Sequence, residues 1–477
     1  MKFSSLLFFI GCLTFANISS SQAQEVWTLE DCVRHAIENN LDIRNAMINR
    51  EMASIGSRQA RHNRYPSLNA STNIGNNFGR TIDPSTNQFR TESLTFNSWS
   101  LNVSVPIFNG FAIARSIKQA EYQERAAEYD TRQTIDNMQL NVVTYYLNVL
   151  FAEDNLDNAL RQLEISQRQL ERMESLIEAG VSAATEIYDL RVQVALDEER
   201  VVMAENAVEQ GMLQLKNLLM LEPGYQMELD RPDLEIPETD PLLTTDFQYL
   251  YERALDNQAV VKSSEMQIKS AEMGEKIAEG RLLPSINFGG SLSTNYSNRG
   301  QEIRGFENVL DEFPAFINGE PSVIAIPSTV PKFGDQSYVN QLDANFGYGL
   351  GVTLSIPIYN NLNSRLNVQR AKLNTLSAVN SDQAVRQSLK NNISQAQTEA
   401  RAAALAYRAA EHSLEASESA LRNAERKLEA GTATGFDLIN SQNLVNNSRN
   451  NLLQAKYDYI FKLKVIDFYL GNPIVLD

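Results

Sequence analysis

Apolar and polar residues alternate with a period of two in four stretches of the chain. Leu68, Ala70, Thr72, Ile74 and Phe78 fall on one side, and Asn69, Ser71, Asn73 and Asn77 on the other. The pattern resumes at Trp99, Leu101, Val103, Val105 and Ile107 against Ser100, Asn102 and Ser104. It returns with Ile286, Phe288, Leu292 and Tyr296, and once more with Phe346, Tyr348, Leu350, Val352, Leu354, Ile356 and Ile358. Successive side chains of a strand take opposite faces, so each stretch predicts a β-strand of about 10 to 14 residues with one apolar and one polar face. A strand set between lipid and a water-filled lumen reads this way. So does a soluble antiparallel sheet with one buried face.

Between these stretches the period changes to that of helices. Residues 111–179 and 362–430 are two runs of 69 residues without Gly or Pro, ended by Gly180 and Gly431. At helical rise each predicts a rod about 100 Å long, roughly three times the hydrocarbon thickness of a bilayer. Leu156, Leu160, Leu163, Leu170, Leu176 and Ile177 read as a packing seam along the first rod. Ala402, Ala403, Ala404, Ala409 and Ala410 would let columns approach closely along the second. A small sheet between such rods has no soluble core to lie on, which favours the membrane reading of the strands.

The chain repeats itself. At an offset of 218, Ala36 and Asn39 fall on Ala254 and Asn257, and Pro66-Ser67-Leu68-Asn69 falls on Pro284-Ser285-Ile286-Asn287. At an offset of 251, Pro106-Ile107-Phe108-Asn109 falls on Pro357-Ile358-Tyr359-Asn360, and Glu178-Ala179-Gly180 on Glu429-Ala430-Gly431. Two structural repeats are expected, 24–222 and 244–477, joined by a Pro-marked linker at 223–243. Each opens with a helix capped by Thr28 or Asp246, continues through a second helix, two strands and the long rod, and turns back at a tip (180–183 and 431–435) into a final helix. The helices over 42–64 and 184–221 together span about 92 Å against about 104 Å for the rod, so two shorter helices end to end match one long one. The tips would lie at the pole farthest from the strands. The second repeat carries 33 extra residues, placed in the segment 297–344 with its Pro314, Pro321, Pro327 and Pro331, which is expected to be an extracellular loop.

The fold class is therefore mainly α with a membrane β part, four membrane strands per chain. Four strands cannot close on themselves, and an open sheet edge does not survive in lipid. Two copies would pool eight strands around an interior filled by side chains; three would pool twelve and leave a conduit. Three copies also suit a head-to-tail ring that closes.

Composition narrows the field. The net charge of −17 sets the chain against phosphate backbones, which excludes a nucleic-acid partner. The start reads as a secretory signal peptide: Lys2, an apolar run from Leu6 to Phe15, and Ser21-Gln22-Ala23, with cleavage after Ala23 giving 1–23. Acylation at Cys12 is the alternative. After cleavage only Cys32 remains, so no intrachain disulfide is expected. No further run of 18 apolar residues occurs, so the membrane would be crossed by strands. His35, His62 and His412 lie on different helices without Cys or carboxylate at ligand spacing, and no nucleophile triad, phosphate loop or dinucleotide loop is present. No catalytic, cofactor or metal site is expected, and the chain is not read as an enzyme.

Ala36-Ile37-Glu38-Asn39-Asn40, Tyr65-Pro66-Ser67-Leu68, Pro106-Ile107-Phe108-Asn109-Gly110 and the turns Ala179-Gly180-Val181 and Ala430-Gly431-Thr432 recur in order around the long helices. In this the whole mature chain resembles the TolC family of outer-membrane efflux and secretion channels. The resemblance implies a homotrimer in the outer membrane of a Gram-negative bacterium, with a 12-stranded barrel in lipid and a 12-helix periplasmic tunnel. It implies a passive conduit in a tripartite efflux or type I secretion system, docked by a periplasmic adaptor (membrane fusion) protein and an inner-membrane transporter. By the same resemblance the adaptor would meet the tips at Ala179, Gly180, Val181, Ala430, Gly431 and Thr432. An acidic aperture of the family type keeps Asp437 but has Asn440 where a second Asp would stand; Glu186 and Asp189 are the repeat equivalents. Like charges gathered there would repel, raise one another's pKa and attract cations. A solvated helix face is the plain alternative for these residues. For the whole chain the rival is a trimeric structural or adhesive coiled-coil surface protein.

Overall fold

The computed structural model describes residues 25–82, 87–91, 93–180, 185, 187–232, 236, 241–317, 319–430 and 432–472. The expected signal peptide, with Cys12, lies outside the described residues. In chain order the elements are β1 (Glu25–Trp27), α1 (Leu29–Asn39), α2 (Leu41–His62), β2 (Ser67–Asn77), β3 (Thr81–Ile82), β4 (Phe89–Arg90), β5 (Leu94–Asn109), α3 (Ala112–Glu178) and α4 (Ile187–Leu218). There follow β6 (Met227–Leu229), α5 (Pro241–Thr244), α6 (Phe247–Asn257), α7 (Ala259–Gly280), β7 (Ser285–Ser297), β8 (Gln301–Ile317), β9 (Glu320–Asp335), α8 (Tyr338–Ala344), β10 (Gly347–Ser355), α9 (Asn363–Glu429) and α10 (Gly435–Leu470).

Element bounds follow the offsets found in the sequence. Helices α1 and α6 each hold 11 residues and start 218 positions apart, as do α2 and α7 with 22 residues each. The rods α3 and α9 each hold 67 residues and start 251 apart. Thr28 caps α1 in a capping box with Asp31, and Asp246 caps α6 through a bond from the Gln248 N–H.

The recurring motifs have local physical causes. Asn40 ends α1 and donates from Nδ2 to the Leu218 carbonyl at 3.3 Å, fastening the end of α4. Its repeat counterpart, Gln258, donates to the carbonyls of Phe468 and Tyr469 at the end of α10 (3.0 and 3.1 Å). Orphan carbonyls at helix ends need such partners. In Pro-Ile-Phe-Asn the Asn is a helix cap: Asn109 Oδ1 accepts from the Ile113 N–H at 3.2 Å, and Asn360 Oδ1 from the Ser364 N–H at 3.4 Å. The next two residues at each joint are left-handed, Gly110 and Phe111 in the first repeat, Asn361 and Leu362 in the second. Glycine is required at 110, where a Cβ would overlap the Gly280 carbonyl; nothing comparable constrains Asn361.

The chain divides into two compact units that cut across the repeats. The first takes residues 1–50, 127–263 and 383–477 and is helical. Its larger apolar cluster gathers Cys32, Val142, Tyr146, Leu150, Leu215 and Leu219 from α1, α3 and the end of α4; a second holds Leu250, Val261, Ile393, Ala400 and Ile466 in the other repeat. Strands β1 and β6 pair in parallel here. The linker expected to be irregular thus contributes a strand, fixed by the Tyr146 hydroxyl, which donates to the Asp230 carbonyl at 2.6 Å. A three-residue strand has too few positions to show a period.

The second unit takes residues 51–126 and 264–382. It holds an antiparallel sheet in the order β10-β7-β5-β2. The segment 297–344, expected as a loop, instead forms a long hairpin, β8 with β9, followed by α8. Strand β10 stops at Ser355, two residues before Pro357, so Ile358 lies outside it.

Candidate functional site

Register turns the four strands into two unlike faces. Across β2, β5, β7 and β10 one face carries the rows Leu68, Val103, Gly290, Leu350 and Ala70, Leu101, Leu292, Tyr348. The opposite face carries Ser67, Ser104, Gly289, Gly351, then Asn69, Asn102, Ser291, Gly349, then Ser71, Ser100, Ser293, Gly347. The four strands contain no Asp, Glu, Lys, Arg or His. The apolar face is bare in the single chain, with Leu68 66 % and Leu350 76 % exposed. Both edges, β2 and β10, lack a neighbour among the described residues. One expected position shifts: a bulge between Pro106 and Phe108 brings Phe108, not Ile107, opposite Ile286. Trp99 donates to the Tyr338 hydroxyl at 3.1 Å, and Tyr338 to Asn97 Oδ1 at 2.6 Å, which ties α8 to the sheet. Among the described residues no helix is long and apolar enough to cross a membrane.

The tips belong to the helical unit. Rod α3 ends where Gly180 takes a left-handed φ of 74° and its N–H donates to the Ile177 carbonyl. Ala179 continues the helical pattern with a bond to Ser175. Val181 and Glu186 lie outside the described residues. Asp189 is exposed in the first turn of α4, where a carboxylate suits the helix dipole. At the second tip Ala430 is exposed, Gly431 lies outside the described residues, and Thr432 closes α9 by donating its N–H and hydroxyl to the Lys427 carbonyl. Asp437 completes a capping box with Thr434, accepting from its N–H at 2.9 Å and its hydroxyl at 2.8 Å. Those backbone and hydroxyl bonds hold the Asp437 carboxyl below its ordinary pKa, so within one chain the shift runs opposite to that expected of crowded like charges. Asn440 is exposed three residues further on.

Behind the tips lies a polar network that sequence reading missed. Asn443 on α10 donates to Gln193 Oε1 on α4 at 3.2 Å, and Gln193 donates in turn to both oxygens of Asp197 at 3.0 Å. Asp197 is fully buried, accepts from Gln162 of α3 at 3.4 Å, and pairs with Arg200 at 2.9 Å. Gln169 of α3 donates to Gln442 of α10 at 2.8 Å. Gln162 Oε1, Asn443 Oδ1 and Asn446 Nδ2 are buried without a hydrogen-bond partner. A cavity of about 290 Å³ beside them is lined by Asn155, Asn158, Gln162, Arg200, Asn446 and Arg449, among others. Three helices are thus joined by amides and a charge, where apolar packing would be cheaper to satisfy. Tyr188, Val192 and Leu196 form an exposed apolar stripe at helical spacing on α4. The only sequence signal for the network is Gln, Asn and Asp at seam positions.

The outer membrane efflux protein family model matches residues 32–219 and 250–472. The chain belongs to this family. It is an outer-membrane efflux protein, and the stalk-like surface protein is set aside. TolC of Vibrio cholerae serotype O1 is 24 % identical over 360 residues, 75 % of this chain and 73 % of the relative. The alkaline protease secretion protein AprF of Pseudomonas aeruginosa is 20 % identical over 410 residues, 85 % and 76 % of the two chains. Among solved structures the outer membrane protein VceC of Vibrio cholerae superposes with a TM-score of 0.73 at 13 % identity, over 93 % of this chain and 96 % of that one. This efflux protein thus has the fold of the TolC-type channels.

Proposed function

We propose that three copies of this efflux protein pool their sheets into a 12-stranded barrel, continued by a tunnel of helices, and that solutes pass through it without energy input from the chain itself. The sheet carries the reading: two edges without a partner among the described residues, one apolar face and one face of Ser, Asn and Gly without charge. In lipid the edges must find partners, and only closure with further copies supplies them. A lumen of small neutral side chains imposes no charge selection, so selection falls to the tips and to whatever delivers cargo.

At the tips an adaptor protein would meet Ala179, Gly180, Val181, Ala430, Gly431 and Thr432, and an inner-membrane transporter would supply the driving force. Glu186, Asp189, Asp437 and Asn440 would line the aperture. The Thr434 bonds support this by favouring the charged form of the Asp437 carboxyl, which suits an aperture that attracts cations. Helices α4 and α10 would part for the aperture to widen, and the Asn443–Gln193 bond resists that parting.

The test is single-channel recording on the purified full chain in planar bilayers, beside its mass by light scattering in mild detergent. A trimer that conducts, with conductance raised and cation block relieved in the Glu186→Ala, Asp437→Ala double variant, supports the reading. A non-conducting particle or a monomer overturns it. Unchanged conductance and block in the double variant remove these two carboxylates from the aperture.

A further inference from the structure

The hairpin β8–β9 has no counterpart of its length in the first repeat and no part in the conduit described above. Its strands pair over 16 positions, a ribbon of about 55 Å at strand rise, against a diameter of about 24 Å for a 12-stranded barrel with strands tilted by roughly 40°. It does not swing freely from the sheet. Gln341 of α8, buried, accepts from the Ser297 N–H and donates to the Gln336 carbonyl, both at 2.9 Å. Thr294 of β7 donates to the Leu342 carbonyl at 2.6 Å, and Asn345 to the Asn295 carbonyl at 2.9 Å. The base of the ribbon is therefore set by the membrane sheet.

Both faces of the ribbon carry large apolar side chains that are bare. Register places Phe306, Leu310 and Val323 on one face, with Phe313, Ile324 and Ile326 on the other. All six are exposed, Phe306 by 72 %. An isolated two-stranded ribbon is marginal in water, and one showing large side chains on both faces calls for cover on both. Lipid is a poor cover. Glu302, Glu307, Asp311, Glu312, Glu320 and Asp335 stand against only Arg304 and Lys332, with Glu312 on the first face and Glu307 and Asp311 on the second. Strand addition is also disfavoured, along β9 because Pro321, Pro327 and Pro331 lack the N–H that a further strand would need, and on β8 near the hairpin tip by Pro314. What remains is packing face to face.

We propose that the ribbon's occupant is the same ribbon in neighbouring copies: the Phe306–Leu310 face of one packs on the Phe313–Ile326 face of the next, closing a ring of three above the barrel. This rests on the trimer of the preceding section. An element with two unlike apolar faces suits a head-to-tail ring, where each copy offers one face to each neighbour. It also continues, beyond the membrane, the contact that the bare edges β2 and β10 demand within it.

The test uses full-length Leu310→Cys, Ile326→Cys and the double variant, treated with a short bismaleimide in native membranes. Leu310 and Ile326 lie on opposite faces, so no link forms within one ribbon. The double variant should give a covalent trimer on denaturing gels and each single variant only monomer. Covalent dimers from a single variant overturn the ring, since they require like faces in contact. Bimane attached to the Leu310→Cys variant and quenched by brominated lipid overturns it in favour of the bilayer. Light scattering on the unmodified protein separates the two readings. A trimer without cross-links removes the ribbon contact alone, whereas a monomer removes the trimer and the ribbon contact with it. Hydrogen exchange on the unmodified channel gives a readout free of substitution: amides over 306–313 should exchange at least tenfold more slowly in the trimer than after its dissociation, and equal rates overturn the proposal.

Discussion

Replacing Gln193 by Ala tests whether the buried network behind the tips is a fastening or ordinary packing. Gln193 is 7 % exposed and is the only described side chain that bonds both the buried Asp197 and Asn443 of α10. Its loss removes a hydrogen bond to a charge, worth about 1.5 to 3 kcal/mol, and a neutral amide bond worth about 0.5 to 1.5. Arg200, half exposed, still partners Asp197 and offsets part of the loss. A net cost of about 2 to 4 kcal/mol follows. If that cost falls on the closed arrangement, the closed-to-open ratio drops by about 30- to 700-fold, at a factor of ten per 1.4 kcal/mol. Planar-bilayer recordings should then show long openings of higher conductance that are rare in the unmodified channel. A variant whose melting temperature falls as this cost requires, yet whose conductance and open fraction match the parent, would refute the reasoning, because the network would then stabilise without gating.

Gly110→Ala puts a Cβ into the Gly280 carbonyl at a residue already left-handed; we expect a loss of at least about 3 kcal/mol, read as depleted protein in outer-membrane fractions, while Asn361→Ala at the repeat position costs about 1. Thr434→Ala removes the α10 cap and should lower stability by about 1 kcal/mol in denaturant titrations. Asp437 has its carboxyl held below the ordinary value of 3.8, so its stabilising bonds are fully present above that pH and are lost as pH falls through the lower folded value; acid unfolding of Thr434→Ala should show a weaker pH dependence there than the parent. Burial pushes the Cys32 thiol up to about 12, so maleimide at pH 8 should leave it unmodified until the helical unit unfolds; rapid labelling of native protein would contradict its placement.

What could be read from the residues depended on periodicity and length. Rods α3 and α9 announced themselves because 69 residues without Gly or Pro leave the backbone no other regular choice. The sheet faces were legible because β-period alternation is strict where one side meets lipid. The same reasoning failed where a signal is short or pairwise. Strand β6 has three residues and gains its identity from β1, about 200 positions earlier, so no local pattern could have exposed it. The ribbon β8–β9 escaped because both its faces are apolar and acidic by turns, which erases alternation, while four prolines suggest a loop. In a two-stranded ribbon every residue is at an edge, and proline is tolerated there.

The aperture shows a different limit. Spacing alone put Asp437 and Asn440 one turn apart, but it could not say that Asp437 is bound to Thr434 as a cap. The cap is compatible with the proposed aperture role because a capping carboxylate keeps one oxygen free and its charge intact. In Asp437 Oδ2 takes both Thr434 bonds, which leaves Oδ1 open to a neighbouring copy or a passing cation. Asp437→Asn separates the two roles. The amide keeps an acceptor for the cap while discarding the charge, so the midpoint of denaturant unfolding should stay close to the parent's as cation block is relieved. If block persists in Asp437→Asn but disappears in Thr434→Ala, the cap geometry, and not the charge, governs the opening.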